Sequence, residues 1–232
     1  LIAGYSGIGK SALVQEIYKP ITQKRGYFIS GKFDQFQRNI PYSAVVSAFS
    51  DLVQQLLTES ESRLAEWKTK ISSALGENGR VIIDLIPEVE LIVGSQPAVP
   101  ALPATESQNR LNLVFQNFIN VLTKPQHPLV IFLDDLQWAD AATLKLIQVL
   151  MTAPDSQSLF LIGAYRDNEV SATHPLNLTI EEIRQAGAMV NQISLAPLEL
   201  ADINQLIVDT LHCSAERTEP LAKLILAKTG GN

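Results

Sequence analysis

The chain has 232 residues, 18 basic and 24 acidic side chains, a formal charge of −6 and 46% apolar content. That balance excludes a disordered tail and allows one substantial core with at most a small second domain, and the acidity argues against a protein that coats phosphate backbones, so no nucleic-acid partner is expected. No apolar run approaches the roughly 18 residues of a membrane span; a lone cysteine, Cys213, excludes internal disulfides and multi-cysteine metal clusters and points to a reducing compartment, the cytoplasm.

The chain opens on what reads as half of a buried strand, residues 1–3, with no secretory leader, so it is expected to be an internal piece of a longer protein. Further strands are predicted at 27–30, 129–133, 159–165 and 190–195. Those at 129–133 and 159–165 are nearly all apolar, as in a parallel sheet covered on both faces. A helix is predicted over 11–18. Residues 41–122 carry three or four helical patterns and no clear strand, interrupted by the proline-rich loop 95–103. They form a helical insertion between the second and third strands. Within it, the mixed-sign segment from Glu59 to Lys70 reads as the solvated side of a helix whose apolar side carries Leu64, Trp67 and Ile71. Asp140 stands where the cap of the next helix belongs. After Pro197, Leu200, Ile203, Leu206, Ile207 and Leu211 share a helical face, and a second helix with Pro220 near its first turn ends before Gly230. The expected class is α/β, a doubly wound parallel sheet sandwiched by helices. Residues 1–197 form the core domain and 198–232 begin a helical lid.

The chemistry starts at Gly4-Tyr5-Ser6-Gly7-Ile8-Gly9-Lys10-Ser11, a full G-x-x-x-x-G-K-[ST] match between an apolar strand and a helix. The glycines let the backbone turn its N–H groups toward phosphate oxygens, and the helix N-terminus adds its dipole. Lys10 pairs with the β- and γ-phosphates and the Ser11 hydroxyl takes one position on Mg²⁺. A match of this kind arises by chance in such a chain on the order of once in a few hundred. A hydrolase elbow would need glycine where Ile8 stands. The overlapping G-x-G-x-x-A of a dinucleotide site lacks its acid, since the second strand ends in Ser30, Gly31 and Lys32.

The strand at 129–133 runs into Asp134 and Asp135. Two adjacent carboxylates at a buried strand end need a cation or hydrogen bonds to compensate them, and Mg²⁺ on a triphosphate is such a cation. Asp134 contacts the metal and Asp135 acts as general base toward water. Arg166 follows the strand at 159–165, at the sheet end where ligands bind; it either stabilises phosphate charge or pairs with Asp167 or Glu169. No N/T-K-x-D base-reading motif occurs, so ATP is preferred to GTP. Trp138, His127, His174 and His212 are read as packing or surface residues, and Cys213 lacks further metal ligands.

Four stretches carry a resemblance: GYSGIGKS at the start, VIFLDDLQWAD from Val130, GAYRDNEV from Gly163 and the terminal TGGN. Together with FDQFQRNIPYSAVVSAF from Phe33, they resemble the STAND-type, AAA-like P-loop ATPase domains of the additional-strand class. Those most similar lie inside large multidomain bacterial signalling kinases, between a serine/threonine-kinase-like region and GAF plus histidine-kinase regions. The resemblance implies that Gly4, Tyr5, Ser6, Gly7, Ile8, Gly9, Lys10 and Ser11 contact nucleotide. It implies Asp134 and Asp135 as metal and water-activating acids and Arg166 as a sensor arginine. It further implies a slow, ATP-driven switch that works on flanking kinase and sensor domains and can self-associate. A DNA-associated AAA ATPase of the initiator or clamp-loader kind, and a nucleotide-binding scaffold without turnover, are the alternatives.

Overall fold

In the computed structural model, which describes residues 1–23, 26–37, 40–124, 127–153 and 158–232, five parallel strands form one sheet in the order β2-β3-β4-β1-β5. These are β1 (Ile2–Ala3), β2 (Tyr27–Lys32), β3 (Leu129–Asp134), β4 (Leu159–Tyr165) and β5 (Ile193–Ser194). β4 therefore separates the strand that feeds the glycine loop from the strand that ends in the acid pair. β2 runs further than its apolar residues suggest, because Gly31 and Lys32 continue the ladder opposite Leu133 and Asp134. β5 is shorter than the apolar run around it; its paired residues lie opposite Ile2 and Ala3.

Alternation along β3 splits the core in two. Val130 and Phe132 pack with Ile2, Val14, Ile162 and Ala164 on the face covered by α1 (Lys10–Gln23). Leu129, Ile131 and Leu133 join a larger core on the other face, under α6 (Ala104–Leu122), α7 (Ala141–Thr152) and α8 (Pro175–Gln185). The inserted segment adds α2 (Ser43–Leu57), α3 (Glu61–Leu75), α4 (Gly79–Leu85) and α5 (Glu90–Val93) to that layer. Its centre is an aromatic triad: Phe115 stands 5.0 Å from Phe49 and 6.2 Å from Phe118, with Phe49 and Phe118 5.9 Å apart. Among the stretches behind the family resemblance, only 38–39 of the one beginning at Phe33 lie outside the described residues.

Two devices fasten the insertion to the sheet. A Cβ on Gly31 would fall 2.0 Å from the Ala44 carbonyl oxygen, so only glycine lets the first turn of α2 lie this close to β2. The chain then enters α2 through Tyr42 at φ 64°, whose N–H donates to Asp140 Oδ2 and Thr143 Oγ1, both at 3.1 Å. Asp140 also caps α7 by accepting from the Thr143 N–H at 2.8 Å, as its position before that helix predicts.

The segment from Glu59 to Lys70 buries the apolar side predicted for it and adds a polar cluster at Glu59. Trp67 and Ile71 are buried, as expected, whereas Glu59 is a polar hub rather than a solvated charge: it accepts from the Tyr27 hydroxyl at 2.7 Å, Trp67 Nε1 at 3.2 Å and Arg63 Nε at 3.2 Å. That cluster ties α3 back to β2. At the C-terminal end, α9 (Leu200–Leu211) and α10 (Ala215–Thr229) pack around Ile203, Ile207 and Ala222, a cluster of their own. α10 begins earlier than Pro220 suggests, putting that proline inside the helix. The extra turn is held where Thr218, buried, donates from its hydroxyl to Asn204 Oδ1 of α9 at 2.7 Å. Among the described residues no helix is long and apolar enough to cross a membrane.

Candidate functional site

The glycine loop joins β1 to α1 at the C-terminal end of the sheet. Gly7 and Gly9 hold φ of 81° and 100°, values that side chains with a Cβ resist, and the helix starts at Lys10 directly after them. Lys10 is 7% exposed and folds back along the loop, its ammonium donating to the carbonyls of Gly4 at 2.8 Å and Tyr5 at 2.7 Å. Burial holds its pKa below the ordinary lysine range; the nearby carboxylates of Asp134 and Asp135 oppose that shift, and Arg166 adds to it.

The acid pair comes from two strands away. Ser11 donates from its hydroxyl to Asp134 Oδ2 at 3.0 Å, across 123 residues of sequence. Asp134 Oδ1 accepts the N–H of Asp135 at 2.9 Å. Asp135 itself sits in left-handed conformation, φ 56° and ψ 43°, a strain of about 1–2 kcal/mol that aspartate tolerates better than most residues. Its buried carboxylate is compensated on every side. Oδ1 accepts from Gln137 Nε2 at 2.9 Å and lies 3.3 Å from Arg166 Nε, and Oδ2 lies 3.3 Å from Lys32 Nζ.

Arg166 is braced in turn. Its backbone N–H donates to Gln137 Oε1 at 3.1 Å, its guanidinium stacks 4.8 Å from the Trp138 ring, and Nη1 meets Glu169 Oε1 at 2.9 Å. The ion pair with Glu169 and the approach to the acid pair are therefore both present. Trp138 donates from Nε1 to Glu169 at 3.1 Å, which makes it a buttress for Arg166.

Lys10, Ser11, Asp134, Asp135 and Arg166 thus border one recess of about 270 Å³, together with Lys32. A second recess of about 330 Å³ adjoins it at Ser6 and Arg166 and is bordered by Tyr5, Ile8, Pro197 and Asn232. The side-chain amide of Asn232 donates to the Ser6 carbonyl at 3.1 Å, and the Gly231 carbonyl accepts from the Leu198 N–H at 2.8 Å, so the chain after α10 returns to the glycine loop. The apolar cavity of about 210 Å³ between β4 and α8 has no charged side chain in its lining and lies apart from this chemistry. His174 caps α8 by accepting from the Leu176 N–H at 3.1 Å, and His212 ends α9; neither borders either recess.

A hydroxyl and a carboxylate oxygen converging beside a lysine suit a hard cation that keeps most of its shell for water and phosphate, which is how Mg²⁺ binds. No cluster of three or more His, Cys, Asp or Glu occurs among the described residues, so a cation here depends on the ligand's oxygens as well as the protein's. The sequence pattern gives Lys32 and Gln137 no part in the site, and marks Pro197 only as the end of the core and Asn232 only within the terminal TGGN. Strand pairing brings Lys32 opposite Asp134, and the return of the chain after α10 brings Asn232 to Ser6, neither of which a local pattern announces.

The fold and the loop define a P-loop α/β domain, and comparison with known proteins gives it a family. The chain belongs to the AAA ATPase domain family, whose pattern matches residues 1–162. It is 31% identical over 295 aligned positions to hybrid signal transduction histidine kinase G of Dictyostelium discoideum, an alignment covering 100% of this chain and 8% of that protein. It is 26% identical over 259 positions to the peroxide stress-activated histidine kinase mak3 of Schizosaccharomyces pombe, covering 91% of this chain and 10% of mak3. The chain thus spans about a tenth or less of the length of these relatives. Among solved structures it is similar to Cdc6p from Pyrobaculum aerophilum, with 12% identity, a TM-score of 0.47, and coverage of 90% of this chain and 41% of that one.

Proposed function

We propose that this domain binds Mg–ATP in the recess between the glycine loop and the acid pair, hydrolyses it slowly, and acts as a switch within a larger signalling protein. The observation that carries the reading is the 3.0 Å hydrogen bond from Ser11 to Asp134, which joins the two motifs into one site. The loop amides and Lys10 hold the phosphates. Ser11 and Asp134 hold Mg²⁺, which when bound neutralises charge on the phosphate oxygens. Asp135 accepts a proton from the water that attacks the γ-phosphorus as the bond to the bridging oxygen breaks, releasing ADP and inorganic phosphate. Arg166, fixed by Glu169 and Trp138, stabilises the charge that builds on the transferring group.

The recess beside Tyr5 and Asn232 takes the base, so that residues 198–232, as a lid on the 1–197 core, feel whether nucleotide is bound. The similarity to signalling histidine kinases supports a setting inside such a protein, where closure of the lid would rearrange flanking kinase and sensor domains in the cytoplasm. The test is Asp135→Asn: it should abolish ATP turnover while leaving Mg–ATP binding in place. Persistent turnover in the purified variant would move the base elsewhere.

A further inference from the structure

β2 ends on Lys32, whose Cα stands in register with that of Asp134 on the parallel neighbour β3. Residues in register present their side chains to the same face of a sheet, so Lys32 stands on the face where Ser11 meets Asp134. Its ammonium lies 3.3 Å from Asp135 Oδ2, and its side chain, 67% exposed, forms part of the wall of the same recess as Lys10, Ser11 and Arg166. Only the lysine end of this pair is open, since the Asp135 side chain is 6% exposed, and Asp135 keeps Gln137 and Arg166 without it. With Arg166 already beside the buried carboxylate, fold stability does not call for a second cation at this strand end.

The three cations of the recess differ in freedom. Lys10 is buried, with its ammonium on two loop carbonyls. Arg166 is held by Glu169 and stacked on Trp138. Lys32 is a point charge on a flexible, mostly exposed stem, held by one ion pair, and can turn toward another anion while Arg166 and Gln137 keep Asp135 compensated. The strand order decides which anion. The loop follows β1, the acid pair ends β3, and Lys32 lies one strand further along. A phosphate chain whose inner groups sit on the loop amides extends toward that side only with its terminal group.

We propose that Lys32 is a specificity-determining residue that contacts the terminal phosphate and makes the site prefer a nucleoside triphosphate to a diphosphate. This rests on the reading of the recess as a Mg–ATP site. The test is calorimetric titration of the full chain and of Lys32→Gln and Lys32→Arg with Mg–ATP and Mg–ADP. Lys32→Gln should weaken ATP about 5- to 10-fold and change ADP less than about twofold, while Lys32→Arg, which keeps the charge, preserves the preference. Equal losses for both nucleotides, or unchanged ATP affinity in Lys32→Gln, overturn the proposal and leave the site reading intact. Lost turnover with an unchanged ATP-to-ADP ratio also overturns it, making Lys32 a positioning residue for Asp135. An unsubstituted chain that binds neither nucleotide overturns both readings.

Discussion

Lys10 shows how one side chain's environment sets a pH dependence. Burial depresses its pKa, so in the window between that value and the unfolded value of about 10.4 the folded chain binds fewer protons than the unfolded one. Stability therefore rises with pH through that window. Affinity runs the other way, since a phosphate needs the charged amine: Mg–ATP binding should weaken as pH climbs through the lowered pKa, earlier than for an ordinary lysine. Lys10→Ala should cost about 1.5–3 kcal/mol of binding, roughly 10- to 150-fold, and should lose the early fall of affinity with pH that the lowered Lys10 pKa gives. Calorimetry of both proteins across that range checks this; parallel pH profiles would remove Lys10 from the phosphate contacts.

At the scale of elements, the insertion is linked to the site through Asp140. Its carboxylate caps α7, which follows the acid pair, and also accepts from the Tyr42 N–H at the entry to α2. Asp140→Ala removes a cap worth about 0.5–2 kcal/mol and one acceptor of a strained turn, so about 2 kcal/mol of stability should be lost in urea titration. A loss within the ~0.5 kcal/mol typical of neutral surface changes would show that the joint carries no load. Asp140 was legible as a cap because an acid before a helical run has a local reason to be there. Tyr42 as its second partner was not, because 98 residues separate them. β3 and β4 were legible from burial on both faces, whereas the true length of β2 depended on pairing of Gly31 and Lys32 that their composition does not announce. Pro220 misled for a related reason: its preference for a first turn yields to the tertiary bond of Thr218 with α9.

For the whole molecule, the parallel sheet converts motifs scattered over the chain into one surface. The loop after β1, the acids after β3, Arg166 after β4 and Lys32 at the end of β2 all emerge at the same sheet end, as strand C-termini do in this fold class. The loop and the acid pair could be read from sequence because each carries its chemistry within a few residues. Gln137, Lys32 and Asn232 could not, because they come together only where the strand ends and the chain after α10 converge.

If the loop and the acid pair act as one magnesium-dependent site, Ser11 and Asp134 must be energetically coupled. The direct measurement is a double-mutant cycle on Mg–ATP affinity with Ser11→Ala, Asp134→Ala and the pair. The losses should not be additive, with a coupling of at least about 1 kcal/mol that disappears when Mg²⁺ is withheld. Additive losses, or a coupling indifferent to the metal, would contradict a single magnesium-dependent site.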